Sequence, residues 1–535
     1  MKINNKNTFF YFITFIIFSL IAGIYAYFSR YSCFVGDDFW YTRFFGPMGL
    51  FHTLSFTKAG HGGGYIGYFL CKLFSFGMPL YLNIHPCDFI NTYHSIIRGL
   101  FFAIALLLIS KFSTFYNRSK LVYTLSLLLL GGICFFNFVY SNYVIYSNYS
   151  FYRYLFSFIP FSILWYYIYK NLIEENKKIN KFEFVIAFIS AYFVGTSLEI
   201  ISFGSVCLAA MLIIYNCISG FFLANKTDNK NLKLNLNFKF YFLFCTMFFT
   251  TYMFASSLGF KEVATNRGMA NISITFDILK EYSQLYFNVC FVNEWFYWLL
   301  FIIFFSIFFI NAKKQNEIKK IILPLFMQIS ILTVMFSLIL CGKTFDYDTT
   351  TLPKFWLYHD NIIFAYKLLI LIPLLISFDY CYNFVKNNPL VNIILCAFIL
   401  IITCRNFVYF FNNFSIQPMK EARVQAYQIE KIMRYYYLHG ETPIIKANYF
   451  PEIGQNGEKY NFYTLENNLL HQGLFLTVMD LIYKNNDATT LGVILGDNAL
   501  EKFYEKGGTF SEKELEELKF EKLKDDNFVL NKKAP

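Results

Sequence analysis

A polytopic α-helical membrane protein with a small C-terminal α/β extracytoplasmic domain is the fold class this sequence predicts. Three observations predict it. Of 535 residues, 56% are hydrophobic and 22% aromatic, while only 15% are charged; soluble domains carry about 25% charged residues. Long apolar runs recur through residues 1–411, and the mean hydropathy is +0.42. From residue 412 onward the apolar runs give way to mixed, charged sequence.

About 20 apolar residues cross the hydrocarbon core as a helix. Eleven segments satisfy this in order: 8–29, 92–110, 121–140, 151–169, 182–199, 201–224, 238–258, 293–310, 321–341, 362–378 and 389–411. The first is too long for a signal peptide and has no small-residue cleavage site after it, so it reads as a retained helix. Residues 64–82 are apolar but broken by glycines, Lys72 and Pro79. They read as an interfacial or re-entrant helix whose irregular backbone is covered by protein.

Charge sets the orientation. With the N-terminus in the cytoplasm, the inner segments 1–7, 111–120, 170–181, 225–239, 311–320 and 380–388 hold 18 Lys/Arg. The outer segments 30–91, 141–150, 259–292 and 342–361 are about twice as long in total and hold 9. An odd number of spans then puts residues 412–535 on the extracytoplasmic side of a cell inner (plasma) membrane. Residues 1–411 carry 31 Lys/Arg against 17 Asp/Glu, and the tail 15 against 18. The overall charge of +11 therefore belongs to the membrane part and gives no support to nucleic-acid binding. The twelve cysteines show no metal-ligand spacing; a disulfide among Cys33, Cys71 and Cys87 has no sequence support beyond a shared side of the membrane.

In the tail, residues 418–440 read as an amphipathic helix with Pro418 in its first turn and Gly440 near its end. Residues 442–450 and 489–495 read as strands. Residues 511–526 read as a helix opened by Ser511 and Glu514 as a capping box.

Candidate chemistry lies in the outer segments. "GDDFWYTR" (36–43) sets Asp37 and Asp38 about eight residues past the first span, beside Trp40 and Arg43. Carboxylates near low dielectric need a cation, a metal or a donor-rich substrate. The pair reads as a general base or a divalent-cation site, with a solvated loop or a helix cap as the plain alternative. "HGGGYIGYFLCKLF" (61–74) adds His61 behind consecutive glycines that permit a sharp turn. "VYSNYVIYSNYSFYRY" (139–154) offers Asn148 and Tyr149 to a sugar; interfacial tyrosines are also the ordinary aromatic belt. Arg153 there suits an acid of the first loop or a lipid phosphate. "VGTSLEIISFG" (194–204) places Glu199 where two spans turn over, as a site carboxylate or a solvated hairpin tip. In "FKEVATNRGMANIS" (260–273), Arg267 and Lys261 suit phosphate, and pairing with Glu262 is the alternative. "KTFDYDTTTLPKFWLYHDN" (343–361) contributes Lys354 and His359.

Taken together, these motifs resemble the polytopic GT-C glycosyltransferases, and within them an uncharacterised bacterial group. The resemblance rests on "GDDFWYTR" after the first span, the Gly-rich segment, the Asn/Tyr loop, "GTSLE" and the Asn-Arg step of "ATNRG", and covers roughly residues 8–411. The group's arginine in the Gly-rich segment is absent here, with Lys72 or Arg98 as its substitute. The resemblance implies inverting transfer from a polyprenyl-phosphate sugar to an extracytoplasmic glycan, lipid or protein. Asp37 or Asp38 would serve as base, with Glu199 completing the acidic set. Arg267, Arg153, Lys261 and Lys354 would face the donor phosphate. Trp40, Arg43, His61, Asn148, Tyr149 and His359 would line the substrate path. A divalent cation, where one is used, would fall to Asp37 and Asp38. The competing class is a transporter or flippase for a lipid-linked or polar substrate, which favours ionisable groups near mid-membrane.

Overall fold

In a bilayer every backbone N–H and C=O must be satisfied within the segment, so long apolar runs fold as helices. The computed structural model describes residues 5–31, 70, 73–74, 78, 89–116, 118–140, 145, 151–173, 180–223, 238–255, 276–315, 317, 319–340, 358–414, 416, 453–455 and 458–460. Its helices are α1 (Asn5–Ser29), α2 (Ser95–Ser110), α3 (Lys120–Tyr140), α4 (Phe158–Ile173), α5 (Lys181–Gly195), α6 (Glu199–Leu223), α7 (Phe238–Ala255), α8 (Phe276–Phe287), α9 (Trp295–Lys314), α10 (Lys319–Leu340), α11 (Tyr358–Val385) and α12 (Pro389–Asn413). π-turns at Ile90–His94, Phe151–Leu155 and Asn288–Val292 lead toward α2, α4 and α9.

The protein is a membrane-embedded helical bundle. Among the described residues, eight helices are long and apolar enough to cross a membrane: α1, α2, α3, α6, α9, α10, α11 and α12. All eleven predicted segments fall on helices, although α4, α5 and α7 do not meet the same length and composition threshold. α8 is short and carries an aspartate, a lysine and a glutamate among its apolar residues, which places it apart from the spanning helices.

Local chemistry sets several boundaries. Asn180 caps α5 by accepting from the Phe182 N–H at 3.0 Å. Asn388 accepts from the Leu390 and Val391 N–H groups, and Pro389 occupies the first turn of α12, where its missing N–H is not needed.

Two small residues set how closely helices approach. A Cβ at Gly99 would stand 2.4 Å from the Ala22 carbonyl oxygen, so α2 lies directly against α1. A Cβ at Gly195 would stand 1.8 Å from Thr250 Oγ1 and 2.8 Å from the Met247 carbonyl oxygen, so α5 lies directly against α7. Close approach of this kind is how helices gain dispersion contact in lipid, where the hydrophobic effect between them is weak.

Packing contacts define two ends. At one end, the C-termini of α1, α3, α5 and α12 meet the N-termini of α2, α4 and α6. Tyr25 of α1 packs on Phe102 of α2, and Phe28 on Phe410 and Phe414 beyond α12. The 30–91 segment leaves and returns here. At the other end, Tyr123 Oη donates to the Leu107 carbonyl, Lys170 pairs with Glu183, and Phe308 stacks on Tyr380. Buried Asp379 accepts there from the Tyr116 N–H at 2.6 Å, tying the α2–α3 connection to α11. The Tyr116 and Tyr169 hydroxyls are hydrogen-bonded, and burial, then Tyr169, holds the Tyr116 phenol well above the usual tyrosine range.

In the tail, strands β1 (Ile453–Gln455) and β2 (Glu458–Tyr460) pair antiparallel with Gln455 opposite Glu458. The two residues between them are Asn-Gly, the sequence most favoured in a two-residue hairpin. This pair lies outside the strands expected from sequence. The expected elements at 418–440, 442–450, 489–495 and 511–526 lie outside the described residues, as do Cys33, Cys71 and Cys87.

Candidate functional site

Three consecutive residues of the Phe151–Leu155 π-turn organise the end from which the 30–91 segment leaves. A π-turn inserts extra width into a helix and is common at functional sites. Here it turns Phe151, Tyr152 and Arg153 toward three different neighbours.

Phe151 carries the guanidinium of Arg98 over its ring at 5.1 Å. Arg98 is fully buried on α2, donates to the Ile145 carbonyl at 2.6 Å and to Tyr25 Oη at 3.3 Å, and lies over the Tyr25 ring as well. A buried guanidinium needs this enclosure of acceptors and ring faces to offset lost hydration.

Tyr152 joins His94 through a 2.7 Å hydrogen bond between Oη and Nε2. Their rings stack at 5.7 Å, and Phe74 stacks on both, at 5.8 Å from Tyr152 and 6.0 Å from His94. Phe74 closes the stretch "HGGGYIGYFLCKLF", and Leu70 of the same stretch joins the buried core. Phe74 of the first long connection thus packs against the π-turn.

Arg153 faces Glu199. One guanidinium nitrogen, Nη2, reaches both carboxylate oxygens at 3.2 Å. The Glu199 side chain is 3% exposed and that of Arg153 13%. Glu199 is the first residue of α6, where a carboxylate also meets the positive end of the helix dipole. The solvated-tip alternative for Glu199 is therefore replaced by a buried ion pair. Arg153 takes Glu199 as an acid partner, and the acids of the first loop lie outside the described residues. The reason for the burial is geometric: the α5–α6 turn packs in Thr196, Ser197, Leu198 and Glu199, all buried. Ser202 anchors the turn by donating to the Gly195 carbonyl at 2.9 Å.

A second ionic group lies at the same end. Lys367 of α11 pairs with Glu294 at 3.1 Å and donates to Asn137 Oδ1 at 3.3 Å. Lys367 lies within the apolar run 362–378, and the bundle supplies it with an acid. Arg405 of α12 is exposed, as a snorkelling cation on a lipid face should be. Neither His94 nor Glu294 is legible as a site residue in the sequence, because each falls at the very start of a predicted span. The signal available was an ionisable residue within a turn of a span boundary.

Asp37, Asp38, Trp40, Arg43, His61, Asn148, Tyr149, Lys261, Arg267 and Lys354 lie outside the described residues, and so does any divalent-cation site at Asp37 and Asp38. His359 sits in the first turn of α11, with only its backbone described. Among the described residues, no cluster of three His, Cys, Asp or Glu is placed to hold a metal. The structure brings together Glu199 and Arg153 from the predicted set, places Arg98 at the same π-turn, and adds His94 and Tyr152.

This arrangement can hold a guanidinium–carboxylate pair and a histidine–tyrosine pair rigidly at the bundle end where α1 stops and α2 starts. Rigid placement without solvent is the condition under which charges act strongly on a substrate. No family model, curated protein or solved structure matches this chain.

Proposed function

We propose that the chain is a membrane glycosyltransferase that moves a sugar from a polyprenyl phosphate to an extracytoplasmic glycan, lipid or protein acceptor. The proposal includes eleven spans, a cytoplasmic N-terminus and an extracytoplasmic α/β tail. One observation carries it: buried Arg98, Glu199 and His94 and half-buried Arg153 converge at the bundle end from which the aspartate-bearing segment departs. Asp38 is nine residues past Ser29, a stretch that extends at most about 32 Å. Asp37 and Asp38 are thus within chain reach of the π-turn cluster.

In the proposed step, Asp37 or Asp38 accepts the acceptor hydroxyl proton as that oxygen bonds to the anomeric carbon. The bond from that carbon to the phosphate oxygen breaks, and polyprenyl phosphate leaves with the electron pair. Arg267, Lys261 and Lys354 stabilise its charge, while Glu199 fixes Arg153 beside the same path. General-base help is worth typically about 10²–10⁴-fold. A positioned cation adds on the order of 3 kcal/mol.

The transporter reading has less support. Among the described residues, Arg98, Glu199 and Asp379 are buried toward the helix ends, away from mid-membrane. The deciding measurement is sugar transfer in membranes supplied with a panel of polyprenyl-phosphate sugars. D37N or D38N should abolish transfer while the protein still folds and inserts. Full transfer by both single variants and by the double variant would sink the proposal.

A further inference from the structure

The opposite end of the bundle holds a cavity of about 530 Å³ between the α2–α3 connection, α1 and α4. Four cations line it: Lys111, Arg118, Lys120 and Lys170. Its described lining contains no carboxylate. Lys170 pairs with Glu183 at 3.3 Å. Lys111 and Lys120 have no acid partner among the described residues; they lie over the rings of Tyr166 at 5.8 Å and Tyr11 at 4.6 Å. Ring faces hold an ammonium without cancelling its charge, so the cavity keeps net positive charge.

A second cavity of about 180 Å³ adjoins the first and shares Lys111, Tyr166 and Lys170 with it. Its other lining is Leu108, Ser162, Ile163, Tyr167, Glu183 and Ile186. Ser162 lies eight residues before Lys170 on α4, about 12 Å deeper at helical rise. The groove therefore descends from the cationic level into the apolar part of the bundle. Two hydroxyls in it, Ser162 Oγ and Tyr167 Oη, are buried without a hydrogen-bond partner among the described residues. Ser162 is 1% and Tyr167 5% exposed. A buried orphan hydroxyl is costly, and a ligand atom such as an ester carbonyl would relieve it.

We infer that these joined cavities are a binding site for an anionic phospholipid. Its phosphate sits among Lys111, Arg118, Lys120 and Lys170, its ester region meets Ser162 and Tyr167, and one acyl chain follows the groove beside Leu108, Ile163 and Ile186. A basic chamber alone would suit any phosphate; the apolar groove opening from it commits the site to a lipid. Basic pockets between spanning helices recognise anionic headgroups in this way. The site is remote from the π-turn cluster and does not depend on the proposed transfer reaction.

The test uses the full chain, delipidated in mild detergent and offered phosphatidylglycerol or phosphatidylcholine of identical chains, with retained lipid counted by native mass spectrometry. Phosphatidylglycerol should be retained at least about 10-fold better. Removing two lysines with K111Q/K120Q should erase about 10- to 30-fold of that preference. K313Q/K314Q, which removes two cations of the α9 C-terminus outside the cavity, should leave it intact. S162L, which fills the groove, should weaken retention of both lipids with headgroup preference unchanged. Inorganic phosphate at matched concentration should not displace the lipid. Equal retention of the two lipids by the unaltered protein overturns the inference without recourse to any variant. So do an undiminished preference in K111Q/K120Q, an equal loss in K313Q/K314Q, unaltered retention by S162L, or displacement by phosphate, which would mark a free-anion site.

Discussion

Replacing Glu199 by alanine tests whether the Arg153–Glu199 pair holds the α5–α6 turn against the π-turn. The Nη2 nitrogen is 3.2 Å from each carboxylate oxygen. At an effective dielectric near 20, charges at that distance attract by about 5 kcal/mol. Desolvation of two buried ions costs several kcal/mol each, so the intact pair contributes little net stability. Removing one partner is different, because it leaves the other charge buried. E199A should therefore cost about 3–5 kcal/mol. The apolar double variant R153M/E199L should return to within about 2 kcal/mol of the parent. Reversible unfolding in mixed micelles, read as a double-mutant cycle, checks both values. If E199A loses less than about 1 kcal/mol, or the double variant loses the sum of both singles, the pair is not the buried couple described here. Transfer activity of the folded double variant then separates roles. Lost activity indicates that the charges act on substrate; retained activity indicates a brace.

Three further outcomes follow from packing and hydrogen bonding. G99A should destabilise the α1–α2 contact by about 1–3 kcal/mol, because the obstructing atom is a backbone carbonyl that cannot rotate away; thermal melting in detergent measures it. G195A should cost a similar amount, and adding T250A should restore only part, since the Met247 carbonyl oxygen still stands 2.8 Å from the new Cβ. D379A should cost about 2–3 kcal/mol by orphaning the Tyr116 N–H, whereas D379N, which keeps an acceptor oxygen, should lose less than half of that; comparison of their melting curves decides it.

Much of the fold was legible because spanning is a one-dimensional constraint. A run long enough and apolar enough must be helical in lipid, and the described helices other than α8 fall on the predicted segments. Most helix ends were read closely, as at Asn388–Pro389, where the cap is written in adjacent positions, whereas the start of α4 at Phe158 and the end of α11 at Val385 were missed by two turns. The Asn-Gly dipeptide between β1 and β2 is an equally local sequence signal.

Pairing was beyond that logic. Arg153 and Glu199 are 46 positions apart, Lys367 and Asn137 are 230, and Asp379 and the Tyr116 N–H are 263. Each looked solitary in its own segment, because a charge's partner across a bundle depends on which helix faces which. The sequence by itself determined that this chain lies in a membrane, roughly where its helices start and stop, and which ionisable residues sit near their ends. Only the tertiary structure decided that the tip bearing Glu199 is buried, that Tyr152 meets His94, and that lysines at the far end line a cavity beside a second, more apolar one. The physical reason is range. Hydropathy and capping act between neighbours in the chain, whereas desolvated charges are tolerated only where packing brings distant segments within a few ångströms.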